Sequence, residues 1–391
     1  MINTCEDTKL NEKRCFYIKF TLHLYLQTIH IQHFKNISEA DIAFKMGINF
    51  ITGSNGMGKT NILDAVHYLC ISKSYFLHQD RLNIQFSQKQ FTLQGSFLKN
   101  QQLLHVSCLQ THDSKKIFKV NRKAYERLSE HLGVLPVVMI CPADADLITG
   151  TSEHRRRFLD QLLMQSDAVY FKHFTQYLHF LKQRNALLRN AQHQQIDMEV
   201  LRILDAQLVL HAQIVWQKRE ALTQHFKTLF QNLHRQIIHS GETAEFIYSP
   251  STDPNLYAAE LIQSLPKDRI LGYTCSGPHK DDIELQFQGV SYRKFGSQGQ
   301  QKSCIIAIKL AQYHYLKQKL HCPPILLIDD FSDKLDAMRL LQVLEILKSF
   351  SETQILISDT QIPSIFKSHN TYHHIHIENG SITTMNSNQH Q

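Results

Sequence analysis

The chain has 391 residues, long enough for two domains or for one large α/β unit with an insertion. Hydrophobic residues make up 42% of it, yet no apolar run approaches the roughly 20 residues of a membrane-spanning helix, and the first 20 residues lack the apolar core of a secretory signal. The eight cysteines include no C-x-x-C pair, which argues against a zinc site or a disulfide framework, and the formal charge of +7 is modest support for a polyanionic partner.

The first 110 residues contain several predicted strands and one predicted helix. Short alternating runs at residues 24–31 and 91–97 predict antiparallel or mixed strands. Residues 48–52 form an apolar run typical of a buried strand, and apolar residues recur at helical spacing over residues 61–69. The segment between this strand and this helix matches G-x-x-x-x-G-K-[ST], the pattern of a phosphate-binding loop.

The phosphate loop stands in the strand–loop–helix context that its chemistry requires. Its glycines let backbone N–H groups converge on phosphates, and the helix N-terminus adds the positive end of its dipole. We predict that Lys59 reaches the β- and γ-phosphates and that the Thr60 hydroxyl binds Mg²⁺. The predicted ATP-binding residues of this loop are Gly53, Ser54, Asn55, Gly56, Met57, Gly58, Lys59 and Thr60.

A helical region follows Gly150, since residues 152–238 contain almost no glycine or proline. Its first apolar series is Phe171, Phe174, Leu178 and Leu181, and a second series runs from residue 201 to residue 237. The polar residues 190–194 separate the two series and predict a long helical hairpin. This hairpin is far shorter than the coiled-coil arm of a chromosome-maintenance protein.

A second ATPase element is predicted at residues 325–330, where four aliphatic residues precede two carboxylates. This is the form of a Walker B strand, although ordinary strands also end in aspartate; the complete phosphate loop favours the functional interpretation. Asp329 would hold Mg²⁺ through water, and Asp330 would polarise the attacking water. Residues 332–336 are similar to the D-loop of ATP-binding-cassette folds, and residues 355–360 predict a strand that ends at a γ-phosphate sensor.

A small polar turn at residues 296–302 precedes a predicted helix over residues 303–320. Such a turn is a second anion site, although Ser297 would also serve simply as a helix cap. In cassette ATPases this signature turn closes over the γ-phosphate held by a partner protomer, so ATP would join two subunits and hydrolysis would release them. The predicted contacts are Ser297, Gln298, Gly299 and Gln300.

The order of these motifs resembles the RecF family of bacterial recombination-mediator ATPases, which are related to the heads of chromosome-maintenance (SMC) proteins. The resemblance covers roughly residues 22–380. Its most specific stretches are the arginine-rich segment 150–160, the Ser-Gly-Pro-His turn at residues 276–279 and the Ser-Gln-Gly-Gln-Gln turn at residues 297–301. It implies an α/β fold in which an ABC-type, SMC-head-like phosphate-loop ATPase lobe carries a helical second lobe with a short hairpin insertion.

The resemblance also implies a function: an ATP-dependent DNA-binding protein of recombinational repair and replication that dimerises on ATP and hydrolyses it slowly. The implied cofactors are ATP and Mg²⁺, and the implied partners are gapped or junction DNA, a second copy of the chain, RecR and RecO. We expect a cytoplasmic location and no membrane. The chain departs from the family at Lys302, which stands where arginine is common, and at Ala143, which replaces a carboxylate.

DNA contacts are expected to spread over many basic side chains, because phosphates line the whole length of a duplex. The three consecutive arginines 155–157 suggest a nucleic-acid contact, but they point about 100° apart on a helix and cannot form one flat patch. The alternative, that one or two of them tie the helical lobe to the nucleotide domain, is at least as well supported. His279 and Asp282 are predicted to make local hydrogen bonds at this junction. The candidate DNA-binding residues are Lys115, Lys116, Lys119, Arg122, Lys123, Arg184 and Arg189.

The motifs divide the chain into an N-terminal extension (1–21), a first part of the ATPase lobe (22–150), a helical lobe (151–275), a signature region (276–320) and a C-terminal part of the ATPase lobe (321–391). Two other classes share the motif order. The ATPase subunit of a membrane transporter normally has Leu-Ser-Gly-Gly-Gln and a shorter insertion, and a chromosome-maintenance clamp requires hundreds more coiled-coil residues.

Overall fold

The computed structural model describes residues 23–113, 116–190, 195–238, 244–331, 337–367, 372–378 and 381–386. The strands are β1 (Leu24–Phe34), β2 (Ile37–Ala43), β3 (Ile48–Thr52), β4 (Gln90–Lys99), β5 (Gln102–Thr111), β6 (Ile117–Val120), β7 (Lys123–Ala124), β8 (Val137–Ile140), β9 (Ala244–Ser249), β10 (Asp282–Phe287), β11 (Val290–Ser291), β12 (Ile325–Ile328), β13 (Ile355–Asp359), β14 (His373–Glu378) and β15 (Ser381–Asn386).

The helices are α1 (Lys59–Ile71), α2 (Asp146–Thr149), α3 (Ser152–Ser166), α4 (Ala168–Asn190), α5 (Met198–Ile238), α6 (Tyr257–Leu271), α7 (Tyr292–Phe295), α8 (Gln298–Leu320), α9 (Ala337–Lys348) and α10 (Ser364–Lys367). None of the helices in the described part of the chain combines the length and the apolar character needed to cross a bilayer.

A six-stranded antiparallel sheet, in the order β2-β1-β4-β5-β6-β7, forms one side of the ATPase lobe. The inward side chains of β1 alternate with polar ones that face outward, as a half-buried sheet requires. Leu26 and Ile31 pack with Leu93 and with Leu69 of α1 in one hydrophobic core. This core therefore lies between the antiparallel sheet and the helix that follows the phosphate loop.

A second six-stranded sheet, in the order β15-β14-β3-β13-β12-β8, carries the predicted ATPase motifs. Its strands are parallel except for β15, which pairs antiparallel with β14 at the edge. Alternate residues enter two different cores: Leu327 packs on the α1 side, and Leu326 packs on the side of α8 and α9. Burial on both faces explains the continuous aliphatic run of β12.

The helical lobe contains the predicted hairpin, with α4 packed along α5. The buried face of α4 differs from the prediction, because Leu178 is 43% exposed whereas Tyr170 and Tyr177 are fully buried. Phe174 and Leu181 do face the core as expected. The apolar pattern does not mark the tyrosines as core residues, because tyrosine carries a polar hydroxyl group; burial is possible here because these hydroxyl groups bond to Asp160 and His279.

Most predicted elements are confirmed, and the largest difference in a boundary is at the start of α8. The strands predicted at residues 48–52 and 325–328 have those bounds. Helix α8 begins at Gln298 rather than at residue 303, because Ser297 caps it and the polar residues that follow already belong to its first turn. The D-loop-like residues 332–336 and the N-terminal extension lie outside the described residues.

Candidate nucleotide-binding site

The phosphate loop runs from the end of β3 to the start of α1, and Lys59 lies inside its curve. The Lys59 ammonium group donates hydrogen bonds to the carbonyl oxygens of Gly53 (2.7 Å) and Ser54 (3.0 Å). Lys59 is only 5% exposed, whereas the loop tip at residues 54–56 is exposed. The loop thus exposes its backbone to solvent at residues 54–56 and encloses the Lys59 ammonium group. Backbone N–H groups and a nearby cation are what binds a polyanion such as a triphosphate.

Gly53 is required by a close approach of two strands. Its φ is +152°, and a Cβ atom at this position would lie 2.4 Å from the carbonyl oxygen of Ile377 in the neighbouring strand β14. Any side chain would collide with that backbone. The first glycine of the motif therefore fixes where the loop leaves the sheet.

Asn36 supports the loop from the β1–β2 turn. Its side-chain amide donates to the carbonyl oxygen of Gly56 at 2.9 Å, and its Oδ1 accepts from Asn61 of α1 at 2.6 Å. The sequence indicated Asn36 only as part of a family-like stretch, Phe34-Lys35-Asn36. A polar turn near a phosphate loop is a weak signal, because the contact joins residues that are 20 positions apart.

The two predicted metal ligands lie in contact with each other. The Thr60 hydroxyl donates to Oδ1 of Asp329 at 2.9 Å, and the hydroxyl of Ser358 also donates to this oxygen. Burial raises the pKa of the Asp329 carboxyl, and the neighbouring Asp330 adds to this effect, while the two hydroxyl groups oppose it. The end of β13, where a γ-phosphate sensor was predicted, thus lies beside the Walker B carboxylate.

This pair of oxygens fits Mg²⁺. Hydroxyl and carboxylate oxygens are the hard ligands that Mg²⁺ prefers, and the ion usually takes only one or two protein ligands besides water and substrate phosphates. The buried charge of Asp329, whose closest side-chain partners are neutral hydroxyl groups, is the kind of group that a cation stabilises.

Asp330 follows the buried strand β12 in a left-handed conformation, with φ of +49°. Its backbone N–H points toward the Ser358 hydroxyl at 3.4 Å, and its side chain is half-buried. Asp329 contacts Thr60, and both Asp329 and Asp330 line an adjoining cavity of about 240 Å³.

The signature turn reaches the same cavity. Gln298 and Gln301 line it together with Asp329 and Asp330. Ser297 caps α8 through a reciprocal pair of hydrogen bonds with Gln300, at 2.9 and 3.3 Å. Ser297 therefore does cap helix α8, which was one of the two roles considered for it. Ser297 is also exposed, so a second molecule can reach it.

Comparisons with known proteins agree with this geometry. The RecF/RecN/SMC N terminal domain family matches residues 25–383. The DNA replication and repair protein RecF of Parabacteroides distasonis is 40% identical over 86% of this chain and 92% of its own length, and that of Flavobacterium johnsoniae is 38% identical over 89% and 99%. The chain belongs to the RecF family.

Solved structures extend this result to the whole fold. The recombination mediator protein RecF with ATP superposes with a TM-score of 0.85 at 25% identity, covering 93% of this chain and 98% of the solved one. An Smc head domain from Pyrococcus furiosus is 15% identical with a TM-score of 0.56 and shows the shared ABC-type fold. The RecF assignment supports the main interpretation of the sequence over a transporter subunit or an SMC clamp.

The structure divides the candidate DNA-binding residues of this RecF-family chain into buried and exposed groups. Arg184 is wrong as a DNA contact: it is fully buried and bonds to Asp205 and Asp268 at 2.7 Å each. Lys116 is wrong for a similar reason, because its ammonium group bonds to Asp80 at 2.9 Å and its side chain is 7% exposed. The side chains of Lys119, Arg122, Lys123 and Arg189 are exposed, and Lys115 lies outside the described residues.

Two residues of the arginine triad bond at and just before the start of β10, and the expected tie to the nucleotide domain stays a prediction. Arg155 forms two hydrogen bonds with the carboxylate of Asp282, at 2.8 and 3.0 Å. Arg156 donates to the carbonyl oxygen of Asp281 at 2.7 Å. His279 Nδ1 lies 2.6 Å from the Tyr177 hydroxyl oxygen, so His279 and Asp282 both make local hydrogen bonds, as predicted.

Proposed function

We propose that this chain is an ATP-dependent DNA-binding switch of recombinational repair and replication. The observation that carries the proposal is the contact between Thr60 and Asp329, which joins the phosphate loop to the Walker B strand. A glycine-rich turn with no role in phosphate binding would have no reason to place the Thr60 hydroxyl against Asp329, the buried carboxylate at the position where an ATPase holds its metal. The curated relatives, whose names refer to DNA replication and repair, support the same function.

Each motif residue has a distinct task in the proposed site. The backbone of residues 53–58 cradles the phosphates, and Lys59 leaves its two carbonyl partners to neutralise the β- and γ-phosphates. Thr60 and Asp329 hold Mg²⁺, which supplies charge neutralisation on the phosphate oxygens when it is bound. Asp330 orients and polarises the attacking water, since it lines the cavity beside Asp329 that Gln298 and Gln301 of the signature turn also line.

We further propose that the active site is completed by a second copy of the chain. Ser297, Gln298, Gly299 and Gln300 lie at the start of a 23-residue helix. The reciprocal cap uses the N–H groups of Ser297 and Gln300 but not those of Gln298 and Gly299, which together with the helix dipole favour an anion. The exposure of Ser297 and Gln298 supports a contact with the γ-phosphate of a partner protomer. ATP then stabilises the dimer and hydrolysis releases it.

DNA is proposed to bind through distributed phosphate contacts of exposed basic residues. Lys119, Arg122 and Lys123 lie together on β6, β7 and the turn between them, and they are the best candidates. Arg189 lies near the end of α4 in the helical lobe. RecR and RecO are the proposed protein partners in the cytoplasm, on the strength of the family and of its RecFOR pathway.

The proposed division of the chain follows the motifs. Residues 22–150 and 321–391 would form the ATPase lobe, residues 151–275 the helical lobe, and residues 276–320 the signature region between them. The two large hydrophobic cores support this arrangement in part, since one is built from the antiparallel sheet with α1 and the other includes the helices of the second lobe.

Mass in solution tests the switch directly. The molecular mass is measured by light scattering with and without ATP and with and without gapped duplex DNA, and DNA affinity is measured at several salt concentrations. We expect a dimer with ATP, tighter DNA binding with ATP, and a linear fall of log K with log salt. A chain that stays monomeric with ATP and DNA together, or a salt-independent affinity, would contradict the proposal.

A further inference from the structure

The two helices that begin at the nucleotide motifs are connected inside the ATPase lobe by a continuous chain of polar contacts. Helix α1 begins at Lys59 of the phosphate loop, and α8 begins at Gln298 of the signature turn. The chain of contacts starts at Asp64, one to two turns into α1, and ends at Lys309, three turns into α8. Both side chains are almost completely buried.

At the α1 end, Asp64 binds the segment that follows this helix. Its carboxylate accepts hydrogen bonds from the Ser74 hydroxyl and from the backbone N–H of Tyr75, each at 2.7 Å. Lys35 approaches the same carboxylate at 2.6 Å and neutralises its charge. Residue 36, next in the chain, contacts the carbonyl oxygen of Gly56 in the phosphate loop.

At the α8 end, Lys309 is held by the same segment. Its ammonium group donates to the Tyr75 hydroxyl at 2.9 Å and lies 3.1 Å from Oδ1 of Asp144. The Tyr75 hydroxyl itself donates to Asp144, and the backbone N–H of Cys141 donates to the other oxygen of Asp144 at 2.8 Å. Burial and the Asp144 charge raise the pKa of Tyr75 well above its usual value, so the phenol stays a hydrogen-bond donor.

A buried lysine in a helix is unfavourable unless its charge is paired and its donors are used. Lys309 pairs its charge with Asp144, and it keeps its second partner, the Tyr75 hydroxyl, only while the segment after α1 stays in place. Conversely, Ser74 and Tyr75 hold their positions through groups that belong to α1 and α8. A shift of one helix relative to the other would break charged hydrogen bonds in a low-dielectric interior, which is costly.

We propose that Tyr75 and Lys309 are positioning residues for ATP hydrolysis, which fix the signature helix relative to the phosphate-loop helix. We call residues 74 and 75 with Asp64, Asp144 and Lys309 the interhelix strut. None of these side chains is assigned a contact with nucleotide. The inference rests on the proposed function, because it assigns the strut a part in the same hydrolysis reaction.

The test compares two tyrosines whose hydroxyl groups have the same kinds of partner, one carboxylate and one cation. Tyr75→Phe removes the hydroxyl between Asp144 and Lys309 and keeps the ring. The control, Tyr170→Phe, removes a hydroxyl that donates to Asp160 at 2.5 Å and accepts from Arg219 at 3.2 Å, within the helical lobe. Each variant thus loses one buried hydroxyl between a carboxylate and a cation.

We expect Tyr75→Phe to lower kcat for ATP about tenfold while the ATP dissociation constant changes less than about twofold. Tyr170→Phe should keep kcat within about twofold of the parent, even where it lowers the urea midpoint equally. Equal kcat values for the two variants would overturn the proposal. Should Tyr75→Phe fail to fold, Ser74→Ala is measured instead, with a smaller expected loss of kcat of about threefold and the same control.

Hydrogen exchange in protein without nucleotide tests the strut independently of the proposed function. In protein without nucleotide, Tyr75→Phe should speed exchange of the backbone amides at residues 300–310 of α8 by about tenfold, and Tyr170→Phe should not. Unchanged exchange in both variants contradicts the strut, regardless of the kcat values that the variants show. A parent protein that binds no ATP contradicts the proposed function, and the exchange result then decides the strut by itself.

Discussion

The hydroxyl of Thr60 donates a 2.9 Å hydrogen bond to Oδ1 of Asp329, across 269 positions of sequence. This contact places the end of the phosphate loop against the end of the Walker B strand. The two sides of the contact should respond differently to mutation. Substitutions in the phosphate loop should weaken ATP binding, whereas substitution of Asp330, which follows Asp329, should slow hydrolysis.

Lys59→Ala should lower ATP affinity roughly 100-fold or more, because the phosphates lose a charge-assisted partner. The loop carbonyl groups of Gly53 and Ser54 also lose the cation that holds them. Isothermal titration with ATP measures the change, and Lys73→Ala, which removes an exposed lysine, is the control. Unaltered affinity would show that Lys59 does not contact the phosphates.

Asp330→Asn should bind ATP normally and lower its hydrolysis rate at least about 100-fold, since the water loses its polarising carboxylate. The ATP-bound dimer should then accumulate and elute earlier in gel filtration. Asp146→Asn, which changes an exposed aspartate, should behave like the parent. Hydrolysis by Asp330→Asn at the parental rate would exclude Asp330 from this role.

Ser297→Arg should leave ATP binding by the monomer nearly intact and abolish both dimerisation and hydrolysis. The larger side chain cannot reproduce the reciprocal cap with Gln300, and it projects from the exposed turn. Mixing this variant with Lys59→Ala protein should restore part of the ATPase activity, since one composite site in the mixed dimer is complete. Loss of ATP binding by the Ser297→Arg monomer would place the turn in its own nucleotide pocket.

Arg184→Ala should destabilise the protein by about 3–5 kcal/mol, because Asp268 is left charged, buried and without its cation. Urea unfolding measures this loss. Arg189→Ala, on the same helix but exposed, should change stability by less than about 0.5 kcal/mol and should weaken DNA binding instead. The reverse pattern, with a folded Arg184→Ala protein that has lost only DNA affinity, would contradict the structure.

Acid should destabilise the fold between about pH 6.5 and pH 4. Burial lowers the pKa of His131 and of His234 from 6.5 to about 4. The folded state therefore keeps both rings neutral in this window while the unfolded chain takes up protons, so stability is complete above pH 6.5 and is lost as the pH falls. Each residue should contribute a loss of about 2 kcal/mol between pH 7.5 and pH 5.

Urea midpoints at pH 7.5 and pH 5.0 check this prediction. His131→Gln keeps a polar side chain near the carbonyl oxygen of Leu69, which the ring contacts at 2.8 Å, and it cannot titrate. The variant should be less stable than the parent at pH 7.5 and should lose less stability on acidification. Equal losses in the two proteins would show that His131 does not carry the effect.

The sequence predicted the motif-bearing strands because their aliphatic runs are continuous and end at recognisable loops. Residues 325–328 are the clearest example: the run, the two carboxylates and the strand bounds all coincide. The contact of Thr60 with Asp329 follows from the motif pair, because parallel strands bring their carboxyl ends to one edge of the sheet.

The basic residues were harder to predict, because a sequence does not show whether an arginine faces solvent or a buried carboxylate. Arg184 and Arg189 lie five positions apart on one helix, and the distant carboxylates of Asp205 and Asp268, which bond to Arg184, distinguish them. The strut was missed for the same reason: Lys309 lies within an apolar helix pattern, and its partners come from residues 75 and 144. Long-range pairs of charges leave no local signature.

The left-handed backbone of Asp330 limits which residues can replace it over evolutionary time. Asparagine, aspartate and glycine adopt this conformation readily, whereas most other side chains clash with their own carbonyl groups. Asparagine and glycine are each one nucleotide change from aspartate. A related protein that has lost hydrolysis but keeps ATP-dependent assembly would therefore be expected to carry asparagine or glycine at position 330. The aliphatic residues of β12 and Asp329 would be unchanged.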